Sequence, residues 1–225
     1  MLSIIIPCLD EAEGIAATLS ALAPLRKRGA EVIVVDGGSR DDTAARAAPL
    51  ADLVITAPRG RARQMNAGAL RSRGEILLFL HADSLLPEAS DLLVVEGLKR
   101  SRRGWGRFDV AIAGSHPLLR VVERLMNLRS RLTGIATGDQ AIFVTRSLFT
   151  AAGDYPEIPL MEDVALCKRL KRFGPPLCLN HRITTSGRRW EKHGVLRTIV
   201  RMWLLRLAYW LGADPAKLAM RYDRG

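Results

Sequence analysis

Cysteine is scarce in this 225-residue chain: Cys8, Cys167 and Cys178 stand far apart with no C-x-x-C pair. That pattern excludes a disulfide framework and a thiolate zinc site, and fits a reducing, cytoplasmic home. Aromatic residues make up only 5% and arginine is spread along the chain rather than clustered. A nucleic-acid binder would interleave the two, so no nucleic-acid partner is expected. No G-x-G-x-x-G follows the first apolar run and no G-x-x-x-x-G-K-S occurs anywhere, which argues against a dinucleotide site and a P-loop. The first residues, MLSIIIP, lack a basic leader and read as a strand, not a signal peptide. Long apolar runs are missing too. The most apolar segment, 194–212, holds no run beyond five residues, against roughly 20 for a spanning helix.

What is present is a globular composition, 48% hydrophobic and 25% charged, with a net charge of +11 and a pI near 10.4. Such a balance by itself favours anionic partners: nucleic acid, anionic lipid or phosphorylated small molecules. A solvated arginine-rich surface would give the same number. The first half alternates strand and helix. Strands are predicted at Leu2–Pro7, Glu31–Asp36, Asp52–Ala57 and Glu75–Leu80, with helices over 11–22, from about Asp42, and over 62–73. Continuous apolar strands separated by short helices predict an α/β fold, a mostly parallel central sheet with helices on both faces. The second half is less regular. Helices are expected over 87–101, 117–132 and 160–174, an exposed strand at Arg107–Gly114, and further strands entering at Gly138 and spanning Leu177–Ser186. No repeat or linker interrupts the chain, so 1–225 is one domain: a nucleotide-binding half (1–100), an acceptor and catalytic half (101–193) and a C-terminal amphipathic segment (194–225).

In open α/β sheets ligands bind beyond the carboxyl ends of the strands. Those ends carry acids here: Asp10 and Glu11 after the first strand, Asp36 with Gly37, Gly38 and Ser39 after the second, His81 and Asp83 after the fourth. Asp36 can accept hydrogen bonds from a base or ribose while two glycines let the backbone approach a flat ligand, although Asp-Gly-Gly is also a turn sequence. Asp83 suits a divalent cation shared with substrate phosphates, or caps the turn that follows. His81 suits Mn²⁺ or a phosphate. Glu162 and Asp163 open a helix, where acids complement the dipole; facing a cleft, one of them can act as a general base.

Together the blocks SIIIPCLDEAEGI, EVIVVDGGSRDDT, GRARQMNAGA, ILLFLHADS, GDQAIFVTRSLF and PLMEDVALCKRL resemble, in order and spacing, the family 2 glycosyltransferases. These are inverting enzymes with the GT-A fold, and the resemblance runs through nearly the whole chain. A compact bacterial subgroup associated with arsenosugar biosynthesis is similar in its LHAD, GDQ and Arg-Arg-Trp segments. The resemblance implies a nucleotide-diphosphate sugar donor and a hydroxyl acceptor, lipid-linked or soluble. Pro7, Glu11, Asp36, Gly38 and Ser39 would hold base and ribose, with Arg61 and Asn66 near base or diphosphate. Asp83, with His81, would bind Mn²⁺ or Mg²⁺, and Asp163 would be the catalytic base. Asp139, Gln140, Glu162, Arg189 and Trp190 would serve the acceptor or diphosphate. Two positions depart from the family pattern: His81-Ala-Asp83 replaces Asp-x-Asp, which bears on metal preference, and Asp10-Glu11 replaces Asn-Glu.

Other functions are weighed against this. A sugar nucleotidyltransferase needs a glycine-rich basic loop after the first strand, which PCLDEAEGI lacks. A non-catalytic basic binder of membranes or nucleic acid would rest on net charge alone. In the segment 194–212, Arg201 falls about 40° and Arg206 about 180° from Arg197 around a helix, so its polar face is not one stripe. An interfacial helix on anionic lipid, a dimer contact and a helix packed on the domain all remain open. The first would make the protein peripheral to the cytoplasmic membrane face.

Overall fold

The computed structural model describes residues 1–188, 190 and 194–223. Its centre is an eight-stranded sheet built from β1 (Leu2–Cys8), β2 (Glu31–Asp36), β3 (Leu53–Thr56), β4 (Ile76–Phe79), β5 (Ser84–Leu85), β6 (Trp105–Ile112), β7 (Phe143–Thr145) and β8 (Leu177–Thr185). Across the sheet they run β3-β2-β1-β4-β7-β6-β8-β5. β1 pairs in parallel with β2 and with β4, β2 with β3, and β6 with β8, whereas β7 and β5 run against their neighbours.

The apolar runs of β1, β2 and β4 are buried on both faces, as parallel strands under helices must be. Alternate residues feed two cores. Ile4, Ile6, Val32, Val34 and Leu78 pack on one face, and Ile5, Ile33, Val35, Leu77 and Phe79 on the other. Helices α1 (Ile15–Ala21) and α2 (Ala23–Lys27) stand where one helix was expected over 11–22, because Pro24 opens α2 in its first turn, and α3 (Thr43–Ala47) is the short helix expected from about Asp42. Helix α4 (Arg61–Arg71) lies close on β1 and β2, and Gly68 permits it: a Cβ there would strike Ile5 and Val35.

The second half differs most from expectation. Helix α5 (Ser90–Ser101) begins after Pro87, not at it. β6 is not an exposed strand: it lies between β7 and β8 with Arg107 wholly buried. Its alternating polar side chains face helix α6 (Pro117–Thr133) rather than water. Arg107 pairs with Asp109, which also receives Arg131 at 2.6 Å. Asn127 exchanges two hydrogen bonds with the Val110 backbone, and Glu123 accepts from Ile112 N–H at 2.6 Å. Helix α7 (Arg146–Ala151) was not foreseen, and α8 (Glu162–Leu170) carries the paired acids at its start.

Two helices expose apolar stripes. The inner side of α6 buries Leu119 and Val122 together with Glu123, Asn127 and Ser130, while Val121, Leu125, Leu128 and Leu132 stand exposed at helical spacing. The helix Val195–Trp210 buries Val195, Thr198 and Leu205 but exposes Leu196, Val200, Trp203, Leu204, Leu207 and Trp210. The two meet where Leu118 and Val122 pack with Val195 and Ile199. Around each helix the exposed stripe adjoins that contact. A last helix, Pro215–Asp223, packs on Met202, Leu205 and Ala208 through Leu218 and Ala219. No helix among the described residues is long and apolar enough to cross a membrane.

Candidate active site

Strand order turns back between β1 and β4, and beyond their carboxyl ends opens a cavity of about 490 Å³. This is the crevice position expected of an α/β sheet, and the size suits a substrate pocket. Pro7 and Glu11 enter from the end of β1, Arg61 from the start of α4, and His81 and Asp83 from the end of β4. Asp139 comes from the Gly138–Gln140 turn, Glu162 and Asp163 from the start of α8, and Trp190 from the far wall.

The turn at Gly138 ties these groups together. Its N–H donates to Asp163 Oδ2 at 2.9 Å, and Val164 N–H donates to Oδ1 at 2.6 Å. One lone pair on each Asp163 oxygen stays available. Asp139 Oδ1 lies 3.3 Å from His81 Nδ1. Burial alone would raise Asp139, but the His81 hydrogen bond and charge, with Arg61 and Arg206, outweigh it and hold the carboxyl at about 2. A Cβ at Gly138 would strike His81 Nε2, so the imidazole packs closely on this turn. Asp83 is freer: its hydrogen bond comes from the Ser84 hydroxyl at 3.4 Å.

Glu162 is 5% exposed, and Arg61 Nη1 stands 4.0 Å from its carboxylate. Burial first, then the adjacent Asp163 charge, pushes Glu162 up to about 7 against the pull of Arg61. Cys8 lines the same cavity, but burial and then Asp36 push its thiol up to about 12, too high for a nucleophile.

Other predicted site residues lie outside the cavity wall. Asp36 is buried and its oxygens accept from Gly38 N–H, Ser39 N–H and the Ser39 hydroxyl. Asp36, Gly38 and Ser39 thus shape the loop that Asp10 clasps, Asp10 N–H donating to Ser39 Oγ and Asp10 Oδ1 accepting from Arg40 N–H. Asn66 exchanges two hydrogen bonds with the Tyr155 backbone. Gln140 is fully buried and donates to Ser130 Oγ at 3.0 Å. Both hold structure together where a ligand role was expected. Arg189 lies outside the described residues. Gln64 and Arg206 line the cavity without having been singled out. Gln64 Nε2 donates to the Cys8 and Val35 carbonyls and fixes the cavity rim. Arg206 had one signal in the sequence: it falls off the side of the helix that carries Arg197.

Which metal this site would take depends on its donor set. No group of three or more His, Cys, Asp or Glu able to hold an ion occurs among the described residues. One free carboxylate at a pocket is nevertheless what a hard cation uses when substrate phosphates and water complete its shell.

The profile described as glycosyl transferase family 2 matches residues 3–143. An uncharacterized glycosyltransferase of Mycobacterium tuberculosis is 35% identical over 91 residues, 40% of this chain and 39% of that protein. The poly-beta-1,6-N-acetyl-D-glucosamine synthase of Staphylococcus epidermidis is 26% identical over 44% of this chain and 26% of its own length. The chain thus aligns with well under half of either relative. Among solved structures, S. aureus TarS 1–349 superposes with a TM-score of 0.67 at 17% identity, over 83% of this chain and 60% of that one. Mannosyltransferase PcManGT from Pyrobaculum calidifontis, in complex with GDP-Man and Mn²⁺, gives 0.62 at 22% identity, covering 81% and 56%. Glucosyl-3-phosphoglycerate synthase from M. tuberculosis, with Mn²⁺, UDP and glucosyl-3-phosphoglycerate, gives 0.57 at 22%, covering 82% and 70%. The fold is that of these GT-A glycosyltransferases, and with the family profile spanning more than half its length the chain belongs to glycosyl transferase family 2.

Proposed function

We propose that the protein moves a sugar from a nucleotide-diphosphate donor to an acceptor hydroxyl in one inverting displacement, assisted by Mn²⁺ or Mg²⁺. The observation that carries this reading is the meeting of Asp83 and Asp163, 80 residues apart in sequence, on one cavity at the carboxyl ends of β1 and β4. Neighbours of the same fold are seen with GDP-Man or UDP and with Mn²⁺. The nucleoside lies toward Pro7, Glu11 and the Asp36 loop, and Arg61 stands near the diphosphate.

Asp83 would hold the cation with His81 beside it, the imidazole Nδ1 being held by Asp139. When bound, the cation supplies charge neutralisation for the departing diphosphate. Asp163 takes the acceptor's hydroxyl proton. The acceptor oxygen bonds the anomeric carbon as the bond to the diphosphate oxygen breaks, and its electron pair leaves with the diphosphate. The backbone N–H donors on Asp163 fix the carboxylate's direction before the acceptor arrives, which is the geometric requirement for a general base.

The exposed apolar surface of α6 and Val195–Trp210 rests, in this reading, on an anionic membrane. Trp203 and Trp210 suit the headgroup layer. Val195–Trp210 contains Arg197, Arg201 and Arg206 and no acid, and the single acid of α6, Glu123, is buried and paired with Arg120. The charge bordering the apolar face is therefore basic, complementary to anionic lipid. A cytoplasmic location belongs to the same reading.

A thermal-shift screen of nucleotide sugars with and without Mn²⁺ tests the proposal. Stabilisation by at least one nucleotide sugar, dependent on the cation, is expected. No stabilisation by any of them would end it.

A further inference from the structure

Two arginines have buried donors with no hydrogen-bond partner among the described residues: Nε and Nη2 of Arg129, on α6, and Nε of Arg206, on Val195–Trp210, which lines the cavity. They also face each other's charge: burial first and then Arg206 bring Arg129 down to about 10. Burial likewise lowers Arg206, with Asp163 and Asp139 pulling the other way. Neither carboxylate bonds these guanidiniums directly among the described residues: the partners of Asp163 are the Gly138 and Val164 N–H groups and that of Asp139 is His81. Burying two like charges with unmet donors is costly unless something completes them.

Guanidinium forks match phosphate oxygens, and a desolvated pair is a strong anion receptor. Their place decides which anion. Arg206 lines the cavity together with Asp163 and Asp139, all from elements of the second half, and those two acids act on both arginines. That is the side of the base assigned above. We propose that Arg206, backed by Arg129, is a phosphate-binding subsite for the acceptor. The molecule receiving the sugar then carries a phosphate whose binding brings its hydroxyl to Asp163. This rests on the transferase reading above. The phosphate can belong to a soluble ester or to a lipid, for Arg206 lies on the helix whose outer face is apolar.

The test is thermal melting of the full chain in inorganic phosphate, against chloride of equal ionic strength, with and without a saturating nucleoside diphosphate and Mg²⁺. Phosphate should raise the wild-type melting temperature by a few degrees and still do so when the nucleoside diphosphate is bound. Arg206→Met should melt at or above the wild-type temperature without phosphate, because an unpaired buried cation is gone. It should lose the phosphate shift and keep the nucleoside diphosphate shift. The proposal is overturned if wild type shows no phosphate shift, if the nucleoside diphosphate abolishes that shift, if Arg206→Met retains it, or if the variant melts several degrees lower. If no nucleoside diphosphate stabilises wild type, the transferase reading fails, while the phosphate shift and its loss in Arg206→Met still judge the subsite.

The source is separated by two arms. A shift with glycerol 3-phosphate, absent in Arg206→Met, assigns a soluble ester. Flotation with phosphatidate vesicles beyond charge-matched phosphatidylserine vesicles, lost in Arg206→Met, assigns a lipid phosphate. Failure of both arms counts against the subsite.

Discussion

Glu162 and Asp163 are neighbours in sequence with opposite circumstances. Asp163 reaches the cavity with its oxygens aimed by two backbone N–H groups, whereas Glu162 is enclosed and its carboxyl sits at about 7. Asp163→Asn keeps the shape and removes the proton acceptor, so donor binding by calorimetry should persist while kcat falls by about 10²–10⁴-fold. Turnover within tenfold of wild type would move the base elsewhere. Glu162 makes a separate prediction about stability. Its folded pKa is raised above the ordinary 4.5, so between 4.5 and about 7 the native state keeps a proton that the unfolded chain has released. Stability is then lost as pH rises through that window. In chelator, Glu162→Gln should gain on wild type across it, by on the order of 2–3 kcal/mol. A constant offset between the two unfolding curves would contradict the assignment. The pair was visible in the sequence as adjacent acids at a helix start. Which acid is solvent-facing was not, since enclosure of Glu162 depends on Arg61 and on Leu160 and Met161 around it.

At the scale of elements, β1, β2 and β4 were legible because burial on both faces leaves continuous apolar runs. β6 was not. Its Arg107 and Asp109 look like the wet face of an edge strand, and only α6, folded over it with Asn127, Glu123 and Arg131, turns that face into an interior ion-pair layer. Val195–Trp210 hides a similar exception, where Arg206 breaks the polar stripe because it points at the cavity. Once Arg206 is assigned inward, the outward side is an apolar stripe bordered by Arg197 and Arg201. An exposed surface of this kind is seldom left bare. Trp203→Glu with Leu207→Glu should cut flotation on phosphatidylserine vesicles by at least tenfold without changing the melting temperature, as both side chains are exposed. Unchanged flotation together with loss of a dimer on sedimentation would assign the face to a second copy of the chain.

For the whole molecule, the sheet divides the work. In the proposed reaction β1 to β4 would present the nucleotide side and α6, α8 and the C-terminal helices the base and acceptor side, and the Gly138–Gln140 turn joins the two through His81, Asp139 and Asp163. The acids after β1 and β4 were expected to meet and do so. Asp36 joins them only through its loop, because its carboxylate is consumed by Gly38 and Ser39. Everything proposed for the donor passes through Asp83. Calorimetric titration of the stabilising nucleotide sugar into wild type and Asp83→Ala, each with and without Mn²⁺, is therefore the decisive measurement. Wild type should bind at least tenfold more tightly with Mn²⁺, and Asp83→Ala should show no such gain; a variant that keeps the full Mn²⁺-dependent affinity would contradict the site.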